Sequence, residues 1–273
     1  MDHYSSELAA KANTLLTLNR QIAGIKFAYT FEEFKEMPAK AMRAKIAYCV
    51  AVKAAMSGKC VKLSGEFCGC SGSSRALGFE PLPEDFTNGK RFQSLGLYKD
   101  LDTSKQVANG MIACRKPSYG IMVQPLGKYR KGHPDVVIIM TDARNAMRLL
   151  QGYTYSYGSQ PIFKMTGNQA ICVECTSHPM EADQMNLSML CSGTRYLAKW
   201  KAGEIAVGFP YHKFVATVEG LLKTVNAVEL DPAKHRIQEN LVGQGFPDPN
   251  FRLGYTYYTD LEKKKALLRK KQP

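Results

Sequence analysis

Apolar residues along the chain switch between two periods, one suited to helices and one to strands. Leu8, Ala12, Leu15 and Leu16 fall on one helical face after Ser5 or Ser6, which can cap the helix. Gly24 to Tyr29 alternates like a strand, and Thr30 with Glu33 forms a capping box. Pro38 then opens a helix that ends before Gly58, with Met42, Ile46, Cys49 and Val50 on one face. Cys60 to Leu63 reads as a strand, Gly65 to Ser74 as a loop, and Arg75 to Leu77 as a helical turn. Pro81, Pro83 and Asn88-Gly89 mark a long connection. Gly120 to Leu126 and Asp135 to Met140 are strands, the second continuously apolar and so central in its sheet. Thr141-Asp142 caps a helix to about Gln151, and Tyr153 to Tyr157 is a Tyr/Gly-rich segment. Pro161 to Met165 and Gln169 to Glu174 read as strands. Arg195 to Lys201 is a helix, Glu204 to Phe209 a strand, and helices start at Pro210 and at Asp231-Pro232.

These elements imply a mixed α/β fold. A recurring series splits it in two. Ala41-Met42-Arg43, Cys49-Val50, Cys70-Ser71-Gly72 with Arg75 and Leu77, and Gly78-Phe79 come first. Ala146-Met147-Arg148, Cys172-Val173, Cys191-Ser192-Gly193 with Arg195 and Leu197, and Gly208-Phe209 follow. The expected architecture is a single domain over 1–245. It holds two pseudo-symmetric lobes, about 20–125 and 126–245, each strand–helix–cysteine loop–helix around a shared cleft. Residues 246–273 form a basic C-terminal extension.

Composition narrows the classes. A 45 % hydrophobic and 22 % charged chain of 273 residues is that of a globular protein. It has no apolar run long enough for a membrane span, and its first dozen residues lack the apolar stretch of a secretory signal. The expectation is a cytoplasmic protein whose eight cysteines are reduced thiols. Cys60 and Cys114 lack a partner pattern and read as core. The net charge is +13, of which the stretch from Glu262 to Pro273 supplies +5. The basic remainder favours an acidic partner, whether an anionic metabolite, a nucleotide or an acidic protein, and the expected partner is a small anionic substrate or a redox partner protein. No helix-turn-helix, ribonucleoprotein motif or zinc-finger spacing supports nucleic acid. A homodimer fits common oligomeric habit.

The chemistry centres on sulfur. Cys70 and Cys191 each precede Ser-Gly and a helix start, where amide dipoles and Arg75 or Arg195 favour a thiolate. Two half-sites of two thiols make a four-thiol set of Cys49, Cys70, Cys172 and Cys191, the donor set of an iron–sulfur cluster, expected as 4Fe–4S. Zinc suits it poorly, because structural zinc takes closely spaced pairs and these pairs are 20 and 18 residues apart. In Cys172-Val-Glu-Cys175, read as a strand, the two sulfurs face opposite sides, leaving Cys172 as the ligand; Cys68 is the second choice beside Cys70. Ser71, Gly72, Ser192, Gly193, Arg75 and Arg195 are candidate contacts to the cofactor or to an anionic substrate. His178 could act as a base for a Cys191 nucleophile. The loop of Lys128, Arg130, Lys131 and His133 could meet an anion. The functional expectation is an iron–sulfur redox protein acting on a small anionic molecule. The alternatives are a metal-free anion-binding module and a thiol-dependent enzyme.

At Cys49, Cys70-Ser-Gly-Ser-Ser-Arg-Ala-Leu-Gly-Phe79, Pro134-Asp-Val-Val-Ile138, Cys172-Val-Glu174 and Asn186-Leu-Ser-Met-Leu-Cys-Ser-Gly-Thr-Arg195 the chain resembles a prokaryotic family. That family is domain of unknown function 169, and the resemblance spans about residues 10–245. It implies that the four repeat cysteines hold family positions while Cys60, Cys68, Cys114 and Cys175 are peculiar to this chain. It also implies an oxygen-free setting, and it supplies no reaction.

Overall fold

The structure is a computed structural model and describes residues 4–159 and 162–270. Along the first half run α1 (Tyr4–Leu16), β1 (Ala23–Ala28), α2 (Phe31–Glu36), β2 (Lys40–Ala41), α3 (Tyr48–Met56), β3 (Val61–Ser64), α4 (Ser71–Ala76), α5 (Glu84–Thr87), α6 (Lys90–Ser94), α7 (Leu101–Gly110) and β4 (Gly120–Pro125). The second half holds β5 (Val136–Thr141), α8 (Ala143–Tyr157), a π-helix (Ala170–Ser177), α9 (His178–Ala182), β6 (Asn186–Ser188), α10 (Ser192–Ala198), β7 (Ile205–Pro210), α11 (Tyr211–Val228), α12 (Asp231–Gly243) and α13 (Tyr257–Lys270).

The strands form one sheet in the order β2-β3-β4-β1-β5-β7-β6, antiparallel except for β2 with β3. The continuous apolar run Val136-Val137-Ile138-Ile139-Met140 is β5, next to the middle of the sheet and buried throughout. Period-two alternation sends its side chains to two separate cores. Val136, Ile138 and Met140 join Ala23, Ile25, Phe27, Ile121, Val123 and the helix α3 on one face. Val137 and Ile139 join Met122, Val207 and Phe209 on the other, beneath α1, α8, α11 and α12. The fold is therefore mixed α/β, with helices on both faces of the sheet. None of its described helices is long and apolar enough to cross a membrane.

Three sequence expectations are corrected. The helix read from Pro38 starts only at Tyr48. Met42 instead pairs with Lys62 (2.9 Å) and Ile46 with Phe67 (3.0 Å), so the chain runs extended beside β3. Gln169 to Glu174 is a helix entry rather than a strand, with Gln169 in the left-handed region (φ 51°). In the segment read as a strand from Pro161 to Met165, residues 162–165 form none, and Pro161 lies outside the described residues. The Tyr-rich segment continues α8 to Tyr157.

The recurrence also takes a different form from the one read. Ala146-Met147-Arg148 lies in α8, where buried Arg148 pairs with Glu229 (3.0 Å), while Ala41-Met42-Arg43 lies at β2 and its exit. Gly78 is in a loop and Gly208 in β7. In the sheet, the strands of the first half lie to one side of the antiparallel β1–β5 pair and those of the second half to the other, with Ile25 facing Val136 at the join.

Candidate functional site

The four repeat cysteines come from four elements and belong to the core on one face of the sheet, which also takes in Cys68, Cys114 and Cys175. Cys49 and Cys172 are buried in the core that contains Ile25 and Val136, and Cys70 and Cys191 pack against it from its half-exposed rim. Tyr48, fully buried at the start of α3, joins its hydroxyl to Thr176 of the π-helix (2.9 Å) and ties the two thiol-bearing helices together. The π-helix is itself held open by hydroxyls. Thr176 donates to the carbonyl of Ile171 five residues back (2.7 Å), while Ser177 gives its hydrogen to the carbonyl of Ile112 (2.5 Å), with that of Cys172 at 3.2 Å.

Electrostatics connects all four sulfurs. Burial pushes the Cys49 thiol up, the Thr194 hydroxyl opposes that shift, and the charges of Cys70 and Cys191 add to it. Burial pushes Cys172 up further, reinforced by Cys70, Cys191 and Cys49 and opposed by a hydrogen bond to Ser73. Cys70 and Cys191 are the N-cap residues of α4 and α10, and the Cys191 sulfur accepts the Thr194 amide (3.4 Å). At Gly193 a β-carbon would approach that sulfur to 4.0 Å, so glycine keeps it uncovered. Gly72 packs on the Gln169 side chain, where a β-carbon would stand 3.3 Å away. Ser71 accepts from Arg91 (3.3 Å), whereas Ser192 is exposed.

Of the other cysteines, Cys68, Cys114 and Cys175 share that core and Cys60 does not. Cys114 is buried and pushed up to about 12, by burial first and then by Glu181 and Asp135. Cys175 is pushed well up by burial and Glu174, its backbone pressed on β7. Cys68 donates to the carbonyl of Cys70 (3.6 Å), and burial raises it to about 11. Cys60, read as core, is only half-buried and lies outside the sulfur-rich core.

The arginines differ from each other. Arg75 lies over the Phe86 ring (6.0 Å) close enough to feel the Cys70 charge. Arg195 donates to the carbonyls of Lys201 (2.9 Å), Met189 (2.9 Å) and Glu204 (3.1 Å), bracing the segment that presents Cys191. His178 is buried, pushed down by burial and by Lys164, so it is neutral at pH 7. Its Nε2 meets Gln184 (3.3 Å) and its Nδ1 has no partner. In the basic loop, Lys128 donates to the Gly58 carbonyl (2.7 Å) and His133 stacks on Tyr211.

Sequence reasoning passed over three residues here. Ser73 and Thr194 stand third after each cysteine cap, and the pattern Cys-Ser-Gly-[Ser/Thr] carries them in plain view. Ser74, buried on the same turn as Ser73, has a hydroxyl without a partner. Among the described residues, no three His, Cys, Asp or Glu side chains are grouped to hold a single metal ion.

Comparisons with known proteins place the chain in a family. Residues 12–220 match the model of domain of unknown function 169, described as Uncharacterised ArCR. The chain belongs to this family. An uncharacterized protein of Methanocaldococcus jannaschii is 25 % identical over 217 residues, covering 79 % of this chain and 92 % of the relative. No solved structure matches. The family match takes in all four site cysteines and ends within α11, so the domain of unknown function 169 corresponds to the complete sheet and both cysteine half-sites.

Proposed function

We propose that Cys49, Cys70, Cys172 and Cys191 hold one iron–sulfur cluster of the 4Fe–4S type, and that the protein is a cytoplasmic redox protein passing electrons to a small anionic molecule. The observation behind this reading is that the four repeat thiols, drawn from both halves of the chain, lie in or against one core, two buried and two at its rim, alongside Cys68, Cys114 and Cys175. Soft thiolates select iron–sulfur clusters, zinc or Cu(I) over hard cations. A single ion needs all sulfurs about 2.3 Å from one centre. A cubane takes sulfurs spread about 6–7 Å apart. The unpartnered Ser74 hydroxyl beside Ser73 is a polar group in want of a neighbour. Bound there, the cluster would supply one-electron transfer. The protein's part is to exclude water from Cys49 and Cys172 and to leave the Cys70 and Cys191 edge open to a partner or substrate.

The test is protein purified and reconstituted without oxygen. Expected are a brown colour, with iron and sulfide near four of each per chain. Cys191→Ser and Cys70→Ser should each remove most of both. Wild-type protein that stays colourless with neither iron nor sulfide, or serine variants that keep their full content, would reject the reading.

A further inference from the structure

The basic loop ahead of β5 forms one wall of a cavity that the cysteines do not line. Lys131 and His133 stand on that wall, and Glu33, Glu36, Met37 and Pro38 of α2 and its exit on another. Lys26 of β1 and Met122 of β4 lie between, and the cavity holds about 480 Å³. That size suits a small molecule. Met122 and Tyr129, which also lines the cavity, belong to the second core, on the other face of the sheet from Cys49 and Cys172.

Both walls are braced. The buried Lys62 ammonium gathers the carbonyls of Phe34 (2.8 Å), Lys35 (3.0 Å) and Met37 (3.2 Å), which fixes the end of α2 that carries Glu36. His133 stacks on Tyr211 (4.7 Å), and the Asp135 amide donates to the Ile25 carbonyl (2.8 Å), which fixes the loop that carries Lys131. The Tyr129 ring rests on β1 at Gly24, where a β-carbon would stand 2.7 Å from it. Its buried hydroxyl has no partner, a polar group that the protein leaves unanswered.

Charge is divided between the walls. The helix α2 packs on β4 and β1, whereas the Lys131 loop enters β5 on the other side of β1. Glu33 is occupied by the amides of Tyr29 (2.5 Å) and Thr30 (3.2 Å). Lys26 is held by Asp135 (2.7 Å), with N–H groups to spare. Glu36 and Lys131 are exposed and form no ion pair among the described residues. The cavity thus has an unpartnered acid on the α2 wall and an unpartnered base on the loop wall. A ligand of one sign would answer one wall and oppose the other, while a zwitterion answers both. Met37, Pro38, Met122 and the Tyr129 ring offer apolar surface for the rest of such a molecule.

We propose that this cavity binds a free amino acid with a large apolar or aromatic side chain, its ammonium toward Glu36 and its carboxylate toward Lys131 and Lys26. The proposal stands apart from the cluster reading, so a protein that takes up no iron leaves its test unchanged.

The test is a ligand-detected NMR titration of the full chain with L-phenylalanine and L-methionine. Glycine lacks the side chain, phenethylamine the carboxylate and hydrocinnamate the ammonium. Both amino acids should bind, and each of the three truncated probes should bind roughly fivefold more weakly or worse. Glu36→Gln and Lys131→Gln are exposed changes that leave the fold intact. Each should weaken L-phenylalanine roughly fivefold. Glu36→Gln should not weaken hydrocinnamate, which has no ammonium to lose, and Lys131→Gln should not weaken phenethylamine. Glu32→Gln and Arg130→Gln change exposed neighbours on the same helix and loop that do not line the cavity, and both should match wild type. Three results would overturn the proposal. One is no binding of either amino acid at millimolar concentration. Another is hydrocinnamate binding as tightly as L-phenylalanine, which makes this a simple anion site. The third is an equal loss in the Glu32 and Arg130 variants, which makes the effect one of net charge.

Discussion

A cysteine's role in this chain follows its surroundings more than its spacing. Cys114 had no sequence pattern and is core, as its type suggests. Its thiol, pushed up to about 12 chiefly by burial, makes a pH prediction. Below the ordinary thiol value near 8.5 both folded and unfolded chains keep the proton, so the contribution is fully present there. As pH rises from about 9 toward 12 the unfolded chain ionises first, and stability is lost. Cys114→Ala should cost about 1 kcal/mol at pH 7 from the lost packing. It should also flatten the fall in urea midpoint between pH 7 and about 10. An equal fall in variant and wild type would show that Cys114 does not titrate between the two states. The same residue scale shows what the sequence made legible. Cys49, Cys70, Cys172 and Cys191 stand out in the sequence because each sits in a short recurring motif. The hydroxyls of Ser73 and Thr194 were missed because serine and threonine near a helix start read as ordinary capping groups.

At the scale of elements, the misread segments are those where tertiary contacts override local pattern. Ala170-Ile171-Cys172-Val173 is a short apolar run, and such a run has the same signature in a strand and in a buried helix. No sequence period announces a π-helix, which here depends on the Thr176 and Ser177 hydroxyls, on Tyr48 and on its fit to β7. By contrast, β1, β4, β5 and β7, together with α11 and α12, fall close to their sequence positions because each carries a clear period and a capping or proline signal. The fit to β7 is testable at Gly208. A β-carbon there would stand 2.3 Å from the Cys175 carbonyl oxygen and 2.6 Å from its α-carbon. Both are backbone atoms that cannot swing aside, so Gly208→Ala must push the π-helix off the sheet. We expect a loss of about 3 kcal/mol in denaturant unfolding, with reduced cluster uptake because Cys172 moves with its helix. Gly203→Ala, where a β-carbon meets nothing within 4 Å, should stay within about 0.5 kcal/mol. Equal behaviour of the two variants would show that the π-helix is free to retreat without cost.

On the scale of the whole molecule, the two halves are joined by one sheet and by contacts such as Tyr48 to Thr176, and a single half holds only two of the four repeat thiols. The C-terminal residues add a further lesson. Basic composition sets off 246–273 as an extension, yet part of it completes the second core. Its last residues, 271–273, lie outside those described. Phe251 is buried, and Phe246 packs on that core with Lys11 over its ring (5.3 Å). Lys234 of α12 is fully buried, and its ammonium donates to the carbonyls of Arg252 (2.7 Å) and Tyr255, with Asp231 at 3.7 Å. A chain ending at Thr256 keeps both carbonyls and gives up only α13, so its unfolding midpoint should stay close to that of the full chain. A chain ending at Gly245 strands a buried ammonium, which costs about 3–5 kcal/mol when a charge loses its partners. Lys234→Met distinguishes this cause from lost apolar contact. It should recover part of the stability of the short chain while weakening the full-length protein, where the carbonyls of Arg252 and Tyr255 would then lose their donor. If methionine weakens both chains alike, the short form fails for want of Phe246 and Phe251 rather than for want of acceptors around Lys234.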